Sequence, residues 1–258
     1  MNTDNTPPVA WDEQGAPYSP RFGDRYRSEG TDGLGGLAQA RHVFLAGCGL
    51  CASDGTPMAT TAWAGRPSWR ILENGFGLGL NFLAAWQLWR RDPQRPTTLV
   101  YEATEAFPPS ADDIMRGALP FPELQTQAHT LAAHWSGLLD TGELLLEQGA
   151  IRLRLHVGEA LPALQGMARP ASAEAAIDSV FLDGFTPRLN PAMWSPGIMR
   201  AIGRLARPGT RAATWCVARG VRDALADAGF AVAKRNGLPP KRHCLVARWG
   251  QPLTDHPE

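Results

Sequence analysis

The chain has 258 residues, a hydrophobic fraction of 44%, 19% charged residues and a formal net charge of zero. That length suits one large domain, or one domain with a small appendage, and the neutral balance excludes a global field drawing the chain to nucleic acid or membrane. A local patch can still steer an RNA. The opening MNTDNTPPVA lacks a basic start followed by an apolar core, so no signal peptide is read there. No apolar run approaches the roughly 20 residues that cross a bilayer, and a cytoplasmic protein with no membrane partner is expected.

From Val9 to about Pro67 the chain is rich in Gly, Pro and Ser, with short apolar pieces such as HVFLAG. This composition predicts short strands and loops, a small β-rich extension over residues 1–67. From Ser68 the texture changes. WRIL reads as a strand, LNFLAAWQLWRR as a helix and TTLVYEA as a second strand. A helical stretch follows from about Ala111 to Leu139, then the strand AIRLRLHVG, the short helix LPALQGM and the buried strand AIDSVFLDG. MWSPGIMRAIGRLA is a helix, PGTRAATWCV a turn and strand, and VRDALADAGF a helix stopped by Gly229. The strands AVAKRN and KRHCLVARW close the chain across a Gly-Pro-Pro loop. Such alternation predicts an α/β fold over residues 68–258, a parallel sheet with helices on both faces.

Sheets of this kind bind ligands beyond the carboxyl ends of their strands, at the switch in strand order. The loops there carry Glu73, Glu105 (or Glu102), Glu159 and Asp183. Gly75, Gly77 and Gly79 alternate after the first strand, where glycines admit close backbone approach and a helix start offers free N–H groups. The pattern G-x-G-x-G differs from the dinucleotide fingerprint, and no Gly-Lys-Ser/Thr follows to make a P-loop. An acid at the mouth of the turn repels a pyrophosphate but suits a ligand with an ammonium and a sulfonium. S-adenosylmethionine carries both, and acids after the second and third strands can meet its ribose hydroxyls and adenine amine. Glycine turns also occur without any cofactor, and strand-end acids also serve as caps; the conjunction in order favours the cofactor.

Cys48 and Cys51 form a C-x-x-C, while Cys216 and Cys244 stand alone. A structural zinc site usually needs a second close pair of ligands, so reduced thiols and no metal are expected.

On the motifs WDEQGAPYSPRFGDRYRS, HVFLAG, ENGFGLGLNFL, EAFP, FLDGFTPRLNPAMW, RPGTRAAT and VRDALADAGF, the sequence resembles the methyltransferases that complete 5-methylaminomethyl-2-thiouridine at the tRNA wobble position. That family comprises the amino-terminal half of MnmC and the stand-alone MnmD, and the resemblance runs from about Val9 to Trp249. It implies a class I methyltransferase (Rossmann-like) sheet with a final antiparallel strand. It also implies S-adenosylmethionine held by Glu73, Gly75, Phe76, Gly77 and Glu105, with Gly79, Gly158 and Glu159 beside them. Asp183 would be the acid beside the substrate amine, flanked by Phe185. In many members the polypeptide continues into an FAD-dependent oxidase; this sequence ends at Glu258, so no flavin is expected here, and whether a separate oxidase is a partner stays open. The chain departs from the family pattern at Glu159 (usually Asp), at GLAQA (Ala38 or Gln39 for an acid), at Leu189 (usually Lys) and at His243 (usually Glu).

Transfer from a sulfonium to an amine is an in-line displacement that needs alignment and a neutral nitrogen. Asp183 is expected to orient the amine and take or relay its proton, with Phe185 and Trp194 lowering the local polarity. Asn190 is expected in a turn near the substrate base, and Asp24 and Tyr26 are expected to close over the pocket. Lys241 and Arg242, with Arg25, Arg27 and Arg188, are the candidates for tRNA phosphate contact in the anticodon region. A monomer is expected. Two other readings stay open: a same-fold enzyme acting on another amine, and a non-catalytic scaffold that binds S-adenosylmethionine.

Overall fold

The computed structural model describes residues 6–27 and 35–253. The N-terminal part contributes a small antiparallel sheet of β1 (Ala10–Trp11), β2 (Pro17–Ser19) and β3 (Asp24–Arg25). The stretch after it differs from the expected short strands. Gly35–Gln39 is a helical turn (α1) that runs into a π-helical turn over Ala40–Leu45. Leu37, Ala40, Val43 and Phe44 recur at helical spacing, all buried, and Phe44 packs on Phe181 with ring centroids 5.6 Å apart. Residues 37–63 therefore belong to the same core as the sheet.

The large sheet contains β4 (Ser68–Asn74), β5 (Thr98–Glu105), β6 (Glu143–Leu146), β7 (Ile151–Val157), β8 (Ile177–Leu182), β9 (Ala206–Thr214), β10 (Phe230–Asn236) and β11 (His243–Trp249). Their order is β10-β11-β9-β8-β4-β5-β7-β6. The pairs β9–β8, β8–β4, β4–β5 and β5–β7 are parallel, and β11 lies antiparallel between β9 and β10. The edge strand β6, antiparallel to β7, carries no sequence signal that separates it from the helices before it. Because side chains alternate across a strand, Ile71 and Phe181 face one core while Leu72, Val180 and Leu182 face the other. The first core is covered by α2 (Leu80–Arg91), α4 (Gln125–Ala133) and α5 (Trp135–Thr141), with α3 (Ala111–Ala118) at the rim. The second is covered by α6 (Ala160–Gly166), α7 (Pro196–Leu205) and α8 (Arg219–Asp227).

The helical stretch expected over 111–139, with the spacing of a half-buried helix pair, is three α-helices. Pro120 and Pro122 cannot sit inside a helix and end α3, and the backbone breaks again at His134. β4 pairs with β5 on one side and with β8 on the other, so the switch in strand order lies between β4 and β8. Their register sets Asn74 beside Leu182, which brings the glycine turn and Asp183 together. Among the described residues no helix is long and apolar enough to cross a membrane.

Candidate active site

A cavity of about 410 Å³ opens at the carboxyl ends of β4, β5, β7 and β8. This lies within the range of roughly 300–1,000 Å³ typical of small-molecule sites. The glycine turn forms its floor. Gly75, Gly77 and Gly79 have φ of 98°, 54° and 75°, and the Gly75 and Phe76 N–H groups donate to the Thr104 carbonyl. Thr104 also donates to the Asn74 Oδ1 at 3.1 Å, so turn and neighbouring strand are fastened together.

The structure gathers Gly75, Phe76, Gly77, Glu105, Gly158, Glu159, Asp183, Tyr26, Phe185 and Asn190 around this cavity. Glu105 accepts the Gly77 N–H at 2.8 Å and the Phe107 N–H at 2.8 Å. Tyr26 stands over Gly77 and meets Phe185 edge to face at 5.1 Å, its hydroxyl donating to the Pro8 carbonyl. Asp183 Oδ1 accepts the Gly184 N–H at 2.9 Å and the Trp215 indole N–H at 3.0 Å, and its Oδ2 accepts from Asn81 at 2.9 Å.

The other expected site residues do not line the cavity. Glu73 is buried under the turn, accepting from Asn81 at 2.7 Å and from the Tyr101 hydroxyl at 2.8 Å, so neither carboxylate oxygen reaches the cavity. Gly79 gives the left-handed residue that precedes α2 and lies against the Phe76 ring, outside the cavity lining. Asp24 accepts the Thr186 N–H at 2.7 Å and pins the loop after β8. Trp194 donates to the Phe185 carbonyl at 2.8 Å and props that residue from beneath. Lys241 folds inward, its ammonium 3.7 Å from the centre of the Trp215 ring, while Arg242 is exposed.

Sequence reasoning missed Asn81 and Trp215. Asn81 had a readable signal, a polar residue at the start of an otherwise apolar helix; Trp215 is brought in only by the sheet. Among the described residues no group of three or more His, Cys, Asp or Glu side chains could hold a metal ion. The cysteines are buried, and burial pushes the Cys48 and Cys51 thiols up to about 12.

Burial, as the leading cause, raises the carboxyls of Glu73, Glu105 and Asp183 above the ordinary carboxylate range. Glu105 and Asp183 line the cavity, where burial disfavours their charge, with Glu73 just behind the turn, and a cationic ligand would relieve them. The site thus accommodates S-adenosylmethionine: backbone at the glycine turn for close approach, carboxylates for its ammonium and sulfonium. The same shifts set a pH dependence. A carboxyl with a raised folded value binds protons more tightly folded than unfolded, so stability falls as pH rises from the ordinary value of about 4.3 through the folded one. Glu73→Gln keeps the shape and removes the charge. Its unfolding temperature is expected to gain on wild type as pH is raised above the ordinary carboxylate value. Parallel curves for the two proteins would show that Glu73 contributes nothing to this dependence.

A switch-point cavity floored by a glycine turn, with an antiparallel strand closing a parallel sheet, is the architecture of a class I methyltransferase. The chain belongs to the S-adenosyl-L-methionine-dependent methyltransferases; the family model of that description matches residues 122–249. It is 53% identical over 242 residues to the tRNA 5-methylaminomethyl-2-thiouridine biosynthesis bifunctional protein MnmC of Delftia acidovorans, covering 93% of this chain and 34% of that protein. The protein of the same name from Polaromonas naphthalenivorans is 52% identical over 236 residues, 91% of this chain and 34% of its own. The chain spans about a third of the length of these curated relatives. Among solved structures, MnmC2 from Aquifex aeolicus shares the fold, with a TM-score of 0.71 and 20% identity over 96% of this chain and 72% of that one.

Proposed function

We propose that this methyltransferase converts 5-aminomethyl-(2-thio)uridine at the tRNA wobble position to its methylaminomethyl form. The observation that carries the reading is Asp183, a carboxylate beside the glycine turn in the cavity lining, on a chain that matches MnmC-named proteins over nearly all its length. Bound S-adenosylmethionine supplies the methyl group on a sulfonium. Everything else falls to the chain. Gly75, Gly77, Glu105 and Glu159 hold that ligand, and Asp183 accepts a hydrogen bond from the incoming amine and aims its lone pair along the line of displacement.

A free alkylamine is mostly protonated near neutral pH, as the lysine value of about 10.4 indicates. The burial that raises Asp183 makes it a stronger proton acceptor, which narrows the gap to the amine. Phe185 and Tyr26 cover the reacting nitrogen and Asn190 meets the base, in a methyl-transfer domain spanning 68–258 to which the N-terminal extension lends Tyr26. The exposed Arg188 and Arg242 are read as phosphate contacts, whereas Lys241 acts inward, beside Trp215 and Asp183. The acceptor amine is made beforehand by an FAD-dependent oxidase, on this polypeptide's own continuation or on a separate chain. A tRNA substrate places the work in the cytoplasm, and a single copy suffices for it.

The test is transfer of labelled methyl from S-adenosylmethionine to tRNA bearing the aminomethyl intermediate. Label is expected in the wobble uridine, with apparent affinity for tRNA falling steeply as salt rises, because each phosphate contact releases counterions. Turnover on a free amine that ignores ionic strength, with no label in tRNA, would replace this substrate by a small molecule.

A further inference from the structure

We infer that Asn81 is a positioning residue for Asp183: its one amide nitrogen donates both hydrogens, tying Asp183 to Glu73 and fixing which carboxylate lone pair faces the cavity. The inference rests on the reading of Asp183 as the group that receives the amine.

A carboxylate offers about four lone-pair sites. On Asp183 the Gly184 N–H and the Trp215 indole fill both sites of Oδ1, and Asn81 Nδ2 fills one of Oδ2 at 2.9 Å. One site of Oδ2 is left for the substrate. The second Asn81 hydrogen goes to Glu73 Oε1 at 2.7 Å. Flipping the amide would point its oxygen at two carboxylates, so the chemistry of the pair dictates the orientation. Glu73 is itself anchored by the Tyr101 hydroxyl at 2.8 Å, which makes the support rigid.

Asn81 is the second residue of α2, directly after the glycine turn. The turn that receives the cofactor and the group that aims the base are therefore parts of one element. Asn81 is buried between Leu80 and Phe82, where packing alone would favour an apolar side chain. An apolar residue there would leave two carboxyl groups facing each other with no donor between them. Beside Glu73, the charged group that acts on Asp183 is Lys241, from the loop between β10 and β11, which Asp24 of β3 also attracts.

The experiment compares the pH dependence of single-turnover methyl transfer to aminomethyl tRNA in wild type, Asn81→Ala, Asn81→Ser, Tyr101→Phe and Asp183→Asn. Loss of a donor to a charged group lowers the Asn81→Ala rate roughly ten- to a hundredfold at neutral pH. The acid limb moves to higher pH, so alkali recovers part of the rate. Asn81→Ser keeps one donor, is the milder variant if alanine fails to fold, and shifts the limb less. Tyr101→Phe strips Glu73 of its other donor without touching Asp183, lowering the unfolding temperature and leaving the limb in place. The carboxyl carbon of Asp183, followed by nuclear magnetic resonance, titrates higher in the Asn81 variants whatever the acceptor substrate is. An Asn81 variant with a slower rate but an unmoved limb and carboxyl titration would overturn the inference. Full activity in Asp183→Asn would instead remove the reading of Asp183 on which it stands.

Discussion

Asp183→Asn is expected to slow methyl transfer by roughly a hundred- to ten-thousandfold, the contribution of a positioned general base. S-adenosylmethionine binding should survive, because the variant keeps the size of the side chain and leaves the glycine turn and Glu105 alone. Oδ1 can go on accepting from Gly184 and Trp215, whereas an amide nitrogen in place of Oδ2 meets the donor of Asn81. That lost bond costs about 1 kcal/mol, and removal of a charge that burial disfavours offsets it. The unfolding temperature should consequently stay within roughly 2–4 °C of wild type, since about 1 kcal/mol corresponds to such a shift at this chain length. Rapid-mixing kinetics with calorimetric cofactor binding on the same sample check both halves. A variant that transfers methyl at the wild-type rate would take the base away from Asp183. One that no longer binds the cofactor would make Asp183 part of that site instead.

The second large effect is expected at Gly75. With φ of 98°, this position holds a backbone conformation that side chains rarely adopt, at a cost of order 1–3 kcal/mol. An added methyl would also lie 2.9 Å from Met193 Cε and 3.0 Å from the Asp183 carbonyl oxygen. The methionine tip can swing away; the carbonyl, held in the backbone after β8, cannot. Gly75→Ala must displace either the turn or the Asp183 loop, so it should weaken cofactor affinity about ten- to a hundredfold, each tenfold being about 1.4 kcal/mol. Gly158→Ala is the control. Its φ of 134° is also unfavourable, but an added methyl meets nothing within 4 Å, so the loss should be markedly smaller. Equal losses in the two variants would show that strain alone, and not the contact with Asp183, sets the effect.

Much of this architecture is legible in the order of residues. Strand periodicity in SWRILEN and IDSVFL, the glycine alternation after β4 and the acid at each strand end are local signals, because burial on both faces and left-handed turns leave their mark on composition within a few residues. They sufficed for the parallel sheet, the cofactor class and the place of Asp183. What the sequence could not supply is the company each side chain keeps. HVFLAG has the composition of a strand and is helical because Phe44 has Phe181 to pack against. Glu73 looks like a ligand of the cofactor, but Tyr101 and Asn81, 28 and 8 residues away, turn it into a buried support. Lys241 reads as a surface cation until the pairing of β11 with β9 sets it above Trp215. Such contacts are decided by strand order and register, which join residues far apart in the chain. Local periodicity determined the elements and their ends, and only the tertiary structure decided which polar groups meet the cavity and which stand behind it.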